Sequence, residues 1–310
     1  MRAACLALLL ALAAPLHAAA GAADWLARIE PALRGLDYQG TLVHVAGGRV
    51  ETVRLFHRRD GDRERERLVA LGGAPREVIR DGRRVMCLGG GEGPLAFEVT
   101  AHGGWSPALA LSAAGSLTGY RVRLAGSDRV AGHAAQRIDI LATDRWRYGY
   151  RLWLERRTGL PLRVDLVDER GEAVEQVAFT ELAIGRRPRD EDLEPSTAKG
   201  LVSVVPIAGQ RAGAGAPEWR VPAPPPGFVL RSSRRDDRGL QLLYSDGLAS
   251  VSVYVERADP ALRAASATRQ GAVHAQAFQS AGWHVLAIGK VPAGTVAHLA
   301  RTVRAVDADG

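Results

Sequence analysis

Residues 145–182 read RWRYGYRLWLERRTGLPLRVDLVDERGEAVEQVAFTEL. Three apolar or alternating runs, Tyr148–Glu155, Leu162–Val167 and Ala173–Leu182, are separated by Thr158-Gly159 and by the turn Asp168–Gly171. Short strands joined by glycine-containing turns are typical of an antiparallel meander. The stretch therefore predicts a curved sheet with one lined face. Such a surface more often covers or carries a molecule than catalyses a reaction.

The first residues have the features of an export signal. Arg2 precedes the apolar run Leu6–Leu16, and small residues follow as far as Ala23. A basic start, a short apolar core and an Ala-x-Ala exit are typical of a secretory signal peptide rather than a membrane span. We expect residues 1–20 to be removed, with cleavage after Ala18 or Ala20, and the mature protein to be exported and soluble.

Cysteine content and charge restrict the partners further. Only Cys87 remains after the predicted cleavage, so no internal disulfide can form, and its apolar strand favours a small buried hydrophobe over a reactive thiol. The formal net charge is +7, and the basic residues are almost all arginine. An exported basic protein meets lipid phosphates, lipopolysaccharide and acidic protein segments rather than nucleic acid.

The large first domain is predicted over residues 24–184. It begins with an amphipathic helix, Asp24–Gly35, capped by Asp24. Nearly all of the remainder has β patterning, with a hairpin first and with Pro107–Gly115 as a helix or lid. The predicted strands are Tyr38–Val45, Arg49–Phe56, Arg67–Leu71, Arg76–Arg80, Val85–Leu88, Tyr120–Leu124 and Gln136–Leu141, followed by the meander. The predicted fold class is α+β: a large curved antiparallel sheet with a helix lying in its concavity.

A connecting segment and a smaller domain follow. Residues 185–226 are polar and rich in glycine and proline, as linkers are. Residues 227–306 predict a compact α+β module that ends in a helix opened by Val291–Thr295. Its predicted strands are Phe228–Arg231, Leu240–Tyr244, Ala249–Val255, Val273–Phe278 and His284–Ile288.

Two charged runs have a structural and a functional interpretation. In Arg58–Arg67 positively and negatively charged side chains first mix and then alternate. This pattern favours a solvated edge strand whose charges prevent it from pairing with another strand. Ser232–Arg238 concentrates three arginines in a predicted loop of the small domain. A plain hairpin loop and a docking patch for acidic groups both explain this second run.

No arrangement of residues in the sequence predicts catalysis or a cofactor. The eight histidines form none of the usual zinc motifs, although His44 and His57 lie in neighbouring strands and could meet. Gly89–Gly93 lacks the Gly-Lys-Ser/Thr of a phosphate loop, and no Gly-x-Ser-x-Gly elbow is present. We therefore predict a protein that is not an enzyme and that needs no cofactor and no metal.

A lipid cavity in the large domain is the main alternative to ordinary core packing there. A concave sheet that lacks its own filler would turn core side chains into the lining of a ligand site. The candidate residues are Trp105, Leu109, Leu111, Trp146, Trp153 and Phe179.

Several segments together resemble the MucB/RseB family of periplasmic regulators of envelope-stress sigma factors. The segments of the large domain are Leu68–Ile79 and Tyr148–Phe179, and those of the small domain are Pro226–Phe228, Ser232–Arg235 and Leu243–Val253. Their order and spacing cover nearly the whole mature chain. The resemblance implies a large domain similar to the lipoprotein carriers LolA and LolB, a half-open β-barrel with plugging helices, followed by a smaller α+β C-terminal domain.

The resemblance also implies a function. It predicts binding to the periplasmic domain of a single-span anti-sigma factor of the RseA or MucA kind, which is thereby shielded from site-1 proteolysis. Lipopolysaccharide or another lipidated ligand would release the regulator. As a hypothesis, the small domain supplies the protein-binding surface, through Arg231, Arg234, Arg235, Arg238, Tyr244 and Asp246.

Two alternative functions and the oligomeric state stay open. A periplasmic lipid or lipoprotein carrier would need only the large domain, and the well-formed second domain argues against it. An envelope hydrolase is the third alternative. A homo-oligomer is possible.

Overall fold

The computed structural model describes residues 21–82, 84–89, 106, 108, 111, 117–196, 203–206, 218–237, 239–258, 265–280 and 282–306. The predicted signal peptide and most of the predicted helix or lid at Pro107–Gly115 lie outside these residues. Two main sheets, each with its own hydrophobic core, divide the described part of the chain. This arrangement agrees with the predicted fold class.

Eleven of the described strands form one antiparallel sheet. They are β1 (Tyr38–Ala46), β2 (Arg49–Asp60), β3 (Arg63–Ala70), β4 (Arg76–Asp81), β5 (Arg84–Gly89), β6 (Tyr120–Val130), β7 (His133–Ala142), β8 (Gly149–Glu155), β9 (Pro161–Val167), β10 (Ala173–Ile184) and β11 (Ser203–Pro206). Their spatial order is β11-β5-β4-β3-β2-β1-β10-β9-β8-β7-β6. The sheet is open, since its outermost strands β11 and β6 are not neighbours.

Two short helices pack on this sheet, where the sequence predicts a single one. These helices, α1 (Ala22–Ala27) and α2 (Ile29–Gly35), meet at Arg28. Pro31 explains the break, because it has no N–H to bond to the carbonyl of Ala27 four residues earlier. Asp24 accepts a hydrogen bond from the Gly21 N–H at 2.8 Å, so it supports the first turn from inside the helix rather than capping it. The side chains that the helices bury in the core include Trp25, Leu26, Ile29 and Leu33.

The turn between β8 and β9 abuts the helix break. Gly159 has φ +83°, a left-handed conformation that favours glycine. A Cβ there would lie 2.5 Å from the Cβ of Arg28. The Arg28 guanidinium donates to the carbonyl of Arg156 at 3.1 Å and to that of Arg157. The glycine predicted in this turn is therefore needed both for the backbone angle and for the contact.

Part of the predicted connecting segment belongs to the large sheet. Asp190 accepts hydrogen bonds from Arg58 at 2.6 Å and Arg65 at 3.1 Å, and Arg67 donates to the carbonyl of Asp192 at 3.3 Å. Further along, β11 pairs with β5. Arginine–carboxylate pairs thus fasten residues 187–196 across β2 and β3, which a polar composition alone does not reveal.

The charged run Arg58–Arg67 is not an edge strand, and that interpretation was wrong. It forms the ends of β2 and β3, which lie between β1 and β4 in the interior of the sheet. Arg58, Glu66 and Arg67 are buried. The charged side chains of this run form ion pairs within the protein: Arg58 pairs with Asp60, and Arg67 pairs with Glu77 at 3.0 Å.

The small domain is a second antiparallel sheet with a helix, as predicted. Its strands are β13 (Val229–Arg235), β14 (Gly239–Ser245), β15 (Ser250–Arg257), β16 (Ala265–Gln270), β17 (Val273–Ser280) and β18 (Trp283–Gly289), in the order β13-β14-β15-β18-β17-β16. The final helix, α3 (Ala293–Thr302), packs on β17 and β18, and β12 (Trp219–Arg220) pairs with β19 (Arg304–Ala305). The exposed strand β16 was missed because the only apolar residues of ASATRQ are two small alanines, which give a weak strand signal.

Candidate functional site

A buried ion pair joins the two domains. Arg147 precedes β8 in the large domain, and Asp246 lies in the turn between β14 and β15 of the small one. The Arg147 Nη1 is 2.5 Å from Asp246 Oδ2, and both side chains have 0 % relative exposure. Arg147 also donates to the carbonyls of Thr118, at 3.3 Å, and of Pro226. An uncompensated charge would be costly at this depth, so Asp246 requires Arg147, whose guanidinium also lies 3.1 Å from Asp144.

Further groups complete the surroundings of Asp246. The Tyr120 hydroxyl donates to Asp246 Oδ2 at 3.1 Å, and the backbone N–H groups of Leu248 and Ala249 donate to Oδ1 at 2.9 and 2.7 Å. Burial, together with the nearby Asp246 charge, raises the pKa of Tyr120, so this phenol remains a donor. Both oxygens of the Asp246 carboxylate therefore accept hydrogen bonds from groups within the protein.

A second polar contact between the domains centres on Glu175 of β10. Lys290, which follows β18, lies 2.8 Å from Glu175 Oε2, and His44 Nε2 lies 2.9 Å from Oε1. Burial alone would raise the pKa of Glu175, but the His44 hydrogen bond and the Lys290 charge lower it to about 2. The carboxylate is thus ionised throughout the physiological range.

The remaining contacts place the domains close together. The Thr295 hydroxyl of α3 donates to the Trp146 carbonyl at 2.7 Å. Tyr148 and Ala272 are buried in one small apolar cluster that spans both domains. A Cβ on Gly47 would lie 2.9 Å from the backbone N of Gly271. Backbone, apolar and ionic contacts together hold one defined arrangement.

The predicted partner-binding residues fall into two groups. Arg231, Arg234 and Arg235 are exposed on β13, an outer strand of the small sheet, although Arg234 and Arg235 were predicted in a loop. Arg235 pairs with Glu218. Tyr244 and Asp246 are buried: the Tyr244 hydroxyl accepts from the Val221 N–H at 2.8 Å, and Asp246 pairs with Arg147. Neither of these two is accessible to a partner in this arrangement. Arg238 lies outside the described residues.

The predicted cavity residues are mostly core. Leu111, Trp153 and Phe179 are buried in the main cluster of the large domain. The Trp153 indole N–H donates to Asp128 at 2.8 Å, and the Arg163 guanidinium stacks 4.3 Å from its ring. Trp146 was misplaced by the sequence reasoning, because it packs against the core of the small domain. Trp105 and Leu109 lie outside the described residues.

The two histidines considered for a metal do not meet. His44 is opposite Glu51 and His57 is opposite Tyr38 in the β1–β2 register, roughly 20 Å apart along the strands.

His57, Glu64 and Glu66 do bring ligand atoms within 4.8 Å of one another. Arg34 lies 3.1 Å from Glu64, and the charge of Arg80 acts on both carboxyl groups. A divalent ion would add two charges to a cluster in which two guanidinium groups already balance two carboxyl groups, so we interpret it as a structural polar cluster.

A surface pocket lies where the two domains meet. Arg145 and Trp146 of the large domain face Ala297, His298 and Arg301 of α3 across a volume of about 410 Å³. We call this the junction pocket. The Arg145 guanidinium lies 4.7 Å from the Trp146 ring, and the His298 ring is tilted 5.1 Å from it. Sequence reasoning missed both this pocket and the Arg147–Asp246 pair, since nothing local in the sequence signals a contact across domains.

Comparison with known proteins decides the family. The MucB/RseB N-terminal domain matches residues 21–197, and the MucB/RseB C-terminal domain matches residues 213–304. The chain belongs to the MucB/RseB family. The resemblance noted in the sequence is therefore confirmed, and it extends over both domains. Members of this family are named as regulatory proteins rather than as enzymes.

The relatives are similar over nearly their full length. The chain is 35% identical over 304 residues to the sigma factor AlgU regulatory protein MucB of Pseudomonas aeruginosa, covering 94% of each. It is 28% identical over 288 residues to the sigma-E factor regulatory protein RseB of Escherichia coli, covering 88% of this chain and 87% of RseB. Within the described ranges, none of the helices has the length and apolar character needed to span a lipid bilayer.

Solved MucB structures are similar in both domains. The structure of the Pseudomonas aeruginosa MucA/MucB complex matches with a TM-score of 0.75 at 31% identity, covering 93% of this chain and 99% of that one. The structure of MucB without a named partner matches with a TM-score of 0.63, also at 31% identity, covering 92% and 98%. The chain as a whole therefore matches MucB from the complex with a higher TM-score than MucB without a named partner.

Proposed function

We propose that this protein is a periplasmic negative regulator of envelope-stress sigma-factor signalling. It binds the periplasmic domain of a membrane-anchored anti-sigma factor of the MucA or RseA kind and protects it from site-1 proteolysis. The observation that carries this proposal is the similarity of both domains, over more than nine-tenths of the chain, to MucB in its complex with MucA. A relative that served only as a carrier would not require the second domain.

The conformation supports the same proposal. The Arg147–Asp246 pair and the Glu175–Lys290 pair join the two domains, and the whole chain matches MucB from the complex with a TM-score of 0.75. A surface that spans two domains binds tightly only when the domains are already placed, because ordering them on binding would cost affinity. Contacts that already place the two domains would lower this cost when the partner binds.

The exposed arginines of β13 are our candidates for an electrostatic part of the surface. Arg231, Arg234 and Arg235 project from an outer strand, where an acidic segment can reach them. Guanidinium groups bind carboxylates in two-pronged hydrogen bonds. We keep Arg238 in this group by sequence proximity and leave out Tyr244 and Asp246, whose polar atoms are used inside the protein.

Release by a lipid is the second part of the proposal. Lipopolysaccharide or another lipidated signal shifts the equilibrium only if it binds the free regulator more tightly than the complex. A tenfold shift requires about 1.4 kcal/mol of such differential binding. Leu111, Trp153 and Phe179 fill the described interior of the large domain, so acyl chains would have to displace core side chains. Lipid entry would thus favour a different conformation from the one that binds the partner.

The testing experiment is a titration of the mature protein with the periplasmic segment of the host's anti-sigma factor, with and without lipopolysaccharide. We expect tight binding that the lipid reverses. In parallel, cleavage of the anti-sigma factor by the site-1 protease should slow when the protein is present and recover when the lipid is added. Fractionation of cells should place the processed protein in the periplasm.

Failure would take a recognisable form. Saturable uptake of lipid without binding to the anti-sigma segment would make the protein a lipid or lipoprotein carrier. Binding to the anti-sigma segment without any slowing of cleavage would leave a binding protein that does not protect its partner.

A further inference from the structure

The junction pocket is built from both domains. Arg145 and Trp146 come from the segment between β7 and β8, while Ala297, His298 and Arg301 come from α3. Its volume of about 410 Å³ suits one or two amino-acid side chains. Any molecule that occupies it contacts the two domains at once.

The pocket carries positive charge that the described part of the protein does not neutralise. Arg145 and Arg301 are exposed, and neither takes part in the ion pairs formed among the described residues. Asp144, the adjacent carboxylate, is used elsewhere: it lies 3.1 Å from the Arg147 guanidinium and accepts the Trp146 backbone N–H at 2.9 Å. The two guanidinium groups are therefore free to bind an anion.

The aromatic wall of the pocket is held in place. Trp146 packs against the core of the small domain, and its carbonyl accepts the Thr295 hydroxyl at 2.7 Å. His298 Nε2 lies 2.8 Å from the carbonyl of Ala223, which orients the ring beside the indole. A pocket whose walls are already positioned loses little conformational entropy when a ligand enters.

These features together select an acidic peptide. The cations require a carboxylate, and the Trp146 ring with the small Gly294 and Ala297 offers room for one adjacent apolar side chain. An acyl chain would need a longer apolar channel than these residues provide. A lipid phosphate would also bind the two arginines, but the short apolar wall of the pocket would make no contact that a lipid headgroup requires.

We propose that the junction pocket binds a carboxylate side chain, together with a neighbouring apolar residue, from an acidic segment of the anti-sigma factor. This inference rests on the proposed function and adds a second contact to it, distinct from the β13 arginines. Because both domains form the pocket, binding there favours the docked arrangement and excludes any conformation in which the domains separate.

The experiment compares the wild type with the double variant Arg145→Glu/Arg301→Glu in binding to the periplasmic segment of the host's anti-sigma factor. We expect affinity to fall about 100-fold, equivalent to about 2.8 kcal/mol, and its dependence on salt to weaken. The charge-matched control is Arg129→Glu/Arg170→Glu, which reverses two exposed arginines of the large domain, one near the end of β6 and one in the turn that follows β9. The control should bind within about twofold of the wild type.

A steric variant separates occupation of the pocket from long-range attraction. Ala297→Trp leaves all charges unchanged and fills the space, so it should weaken binding at both low and high salt. Each replaced side chain is at least partly exposed, so we expect all the variants to fold. Their thermal unfolding midpoints are measured first to check this.

Equal affinity of wild type and Arg145→Glu/Arg301→Glu would overturn the inference while leaving the proposed function intact. Loss of binding to anionic lipid vesicles alone, with the anti-sigma segment still bound, would do the same and assign the pocket to a headgroup. Absence of wild-type binding to the segment would instead reject the proposed function itself.

Discussion

Arg147 and Asp246 are 99 residues apart in the chain and form a fully buried ion pair across the boundary between the two domains. The same guanidinium bonds to the carbonyls of Thr118 and Pro226, so one side chain holds the large domain, the connection and the small domain together. This pair makes the relative position of the domains a property of side-chain chemistry rather than of the linker.

Replacing Arg147 with Met should destabilise the protein by about 3–5 kcal/mol, because Asp246 is left buried without its counter-charge. Urea unfolding measures the loss. The double variant Arg147→Met/Asp246→Leu should recover part of it, since both charges are then absent. Arg189→Met serves as the control, because the Arg189 side chain is exposed and its pairs with Glu191 and Asp192 should contribute less than about 1 kcal/mol. A loss below 1 kcal/mol in Arg147→Met would contradict the role assigned to the pair.

Glu175 should make the free energy of unfolding decrease at acidic pH. Its pKa of about 2 lies below the ordinary value of 4.5, so its stabilisation is complete above about pH 5 and is lost as the pH falls toward 2. The shift corresponds to roughly 3 kcal/mol at neutral pH. Glu175→Gln should lower the neutral stability and flatten the difference between pH 7 and pH 3. Urea unfolding at several pH values measures this, with the exposed Glu191→Gln as the control.

An identical acid dependence in the wild type and in Glu175→Gln would show that other carboxyl groups dominate the acid response. The His44 and Lys290 contacts with Glu175 would then have little energetic weight.

The arginines of β13 should contribute to partner binding through charge. Arg234→Glu/Arg235→Glu should weaken binding to the anti-sigma segment about tenfold or more at low salt, and the difference should shrink as salt rises. Arg129→Glu/Arg170→Glu again controls for total charge. Fluorescence anisotropy with a labelled segment provides the measurement. Unchanged affinity would remove these residues from the interface.

Gly159 and Gly185 form a matched pair for backbone strain. Both have left-handed angles, φ +83° and φ +80°. A Cβ on Gly159 would meet Arg28 at 2.5 Å, whereas one on Gly185 would meet nothing within 4 Å. Gly185→Ala should cost about 1 kcal/mol from the backbone alone. Gly159→Ala should cost more, about 2–4 kcal/mol, because the helix junction must move. Equal losses in urea unfolding would show that the helix junction yields freely.

The strands of the meander could be predicted because their signals are local. The predicted Tyr148–Glu155, Leu162–Val167 and Ala173–Leu182 correspond to β8, β9 and β10 within two residues at each end. Apolar alternation and glycine turns depend on neighbours a few positions away. The same reasoning failed at α1 and α2, where the amphipathic pattern outweighed the missing N–H of Pro31.

The candidate site could be predicted only in part. Arg231, Arg234 and Arg235 were predicted to belong to the partner-binding surface and are exposed. Asp246 was assigned to the same surface, yet its partner Arg147 lies in another domain and no periodicity links the two. The prediction of an edge strand at Arg58–Arg67 failed for a similar reason. Charges that alternate in sign have the same sequence pattern on a solvated edge strand and in buried, paired strands.

The sequence by itself determined the two sheets, the small domain with its final helix, and membership of the MucB/RseB family. These follow from side-chain periodicity, turn residues and the order of segments, all of which are readable along the chain. The tertiary structure alone decided which charges are buried, how the domains dock and where Trp146 joins α3. Burial of an ion pair depends on a partner far away in sequence, and the cost of leaving a buried charge unpaired appears only once the chain has folded.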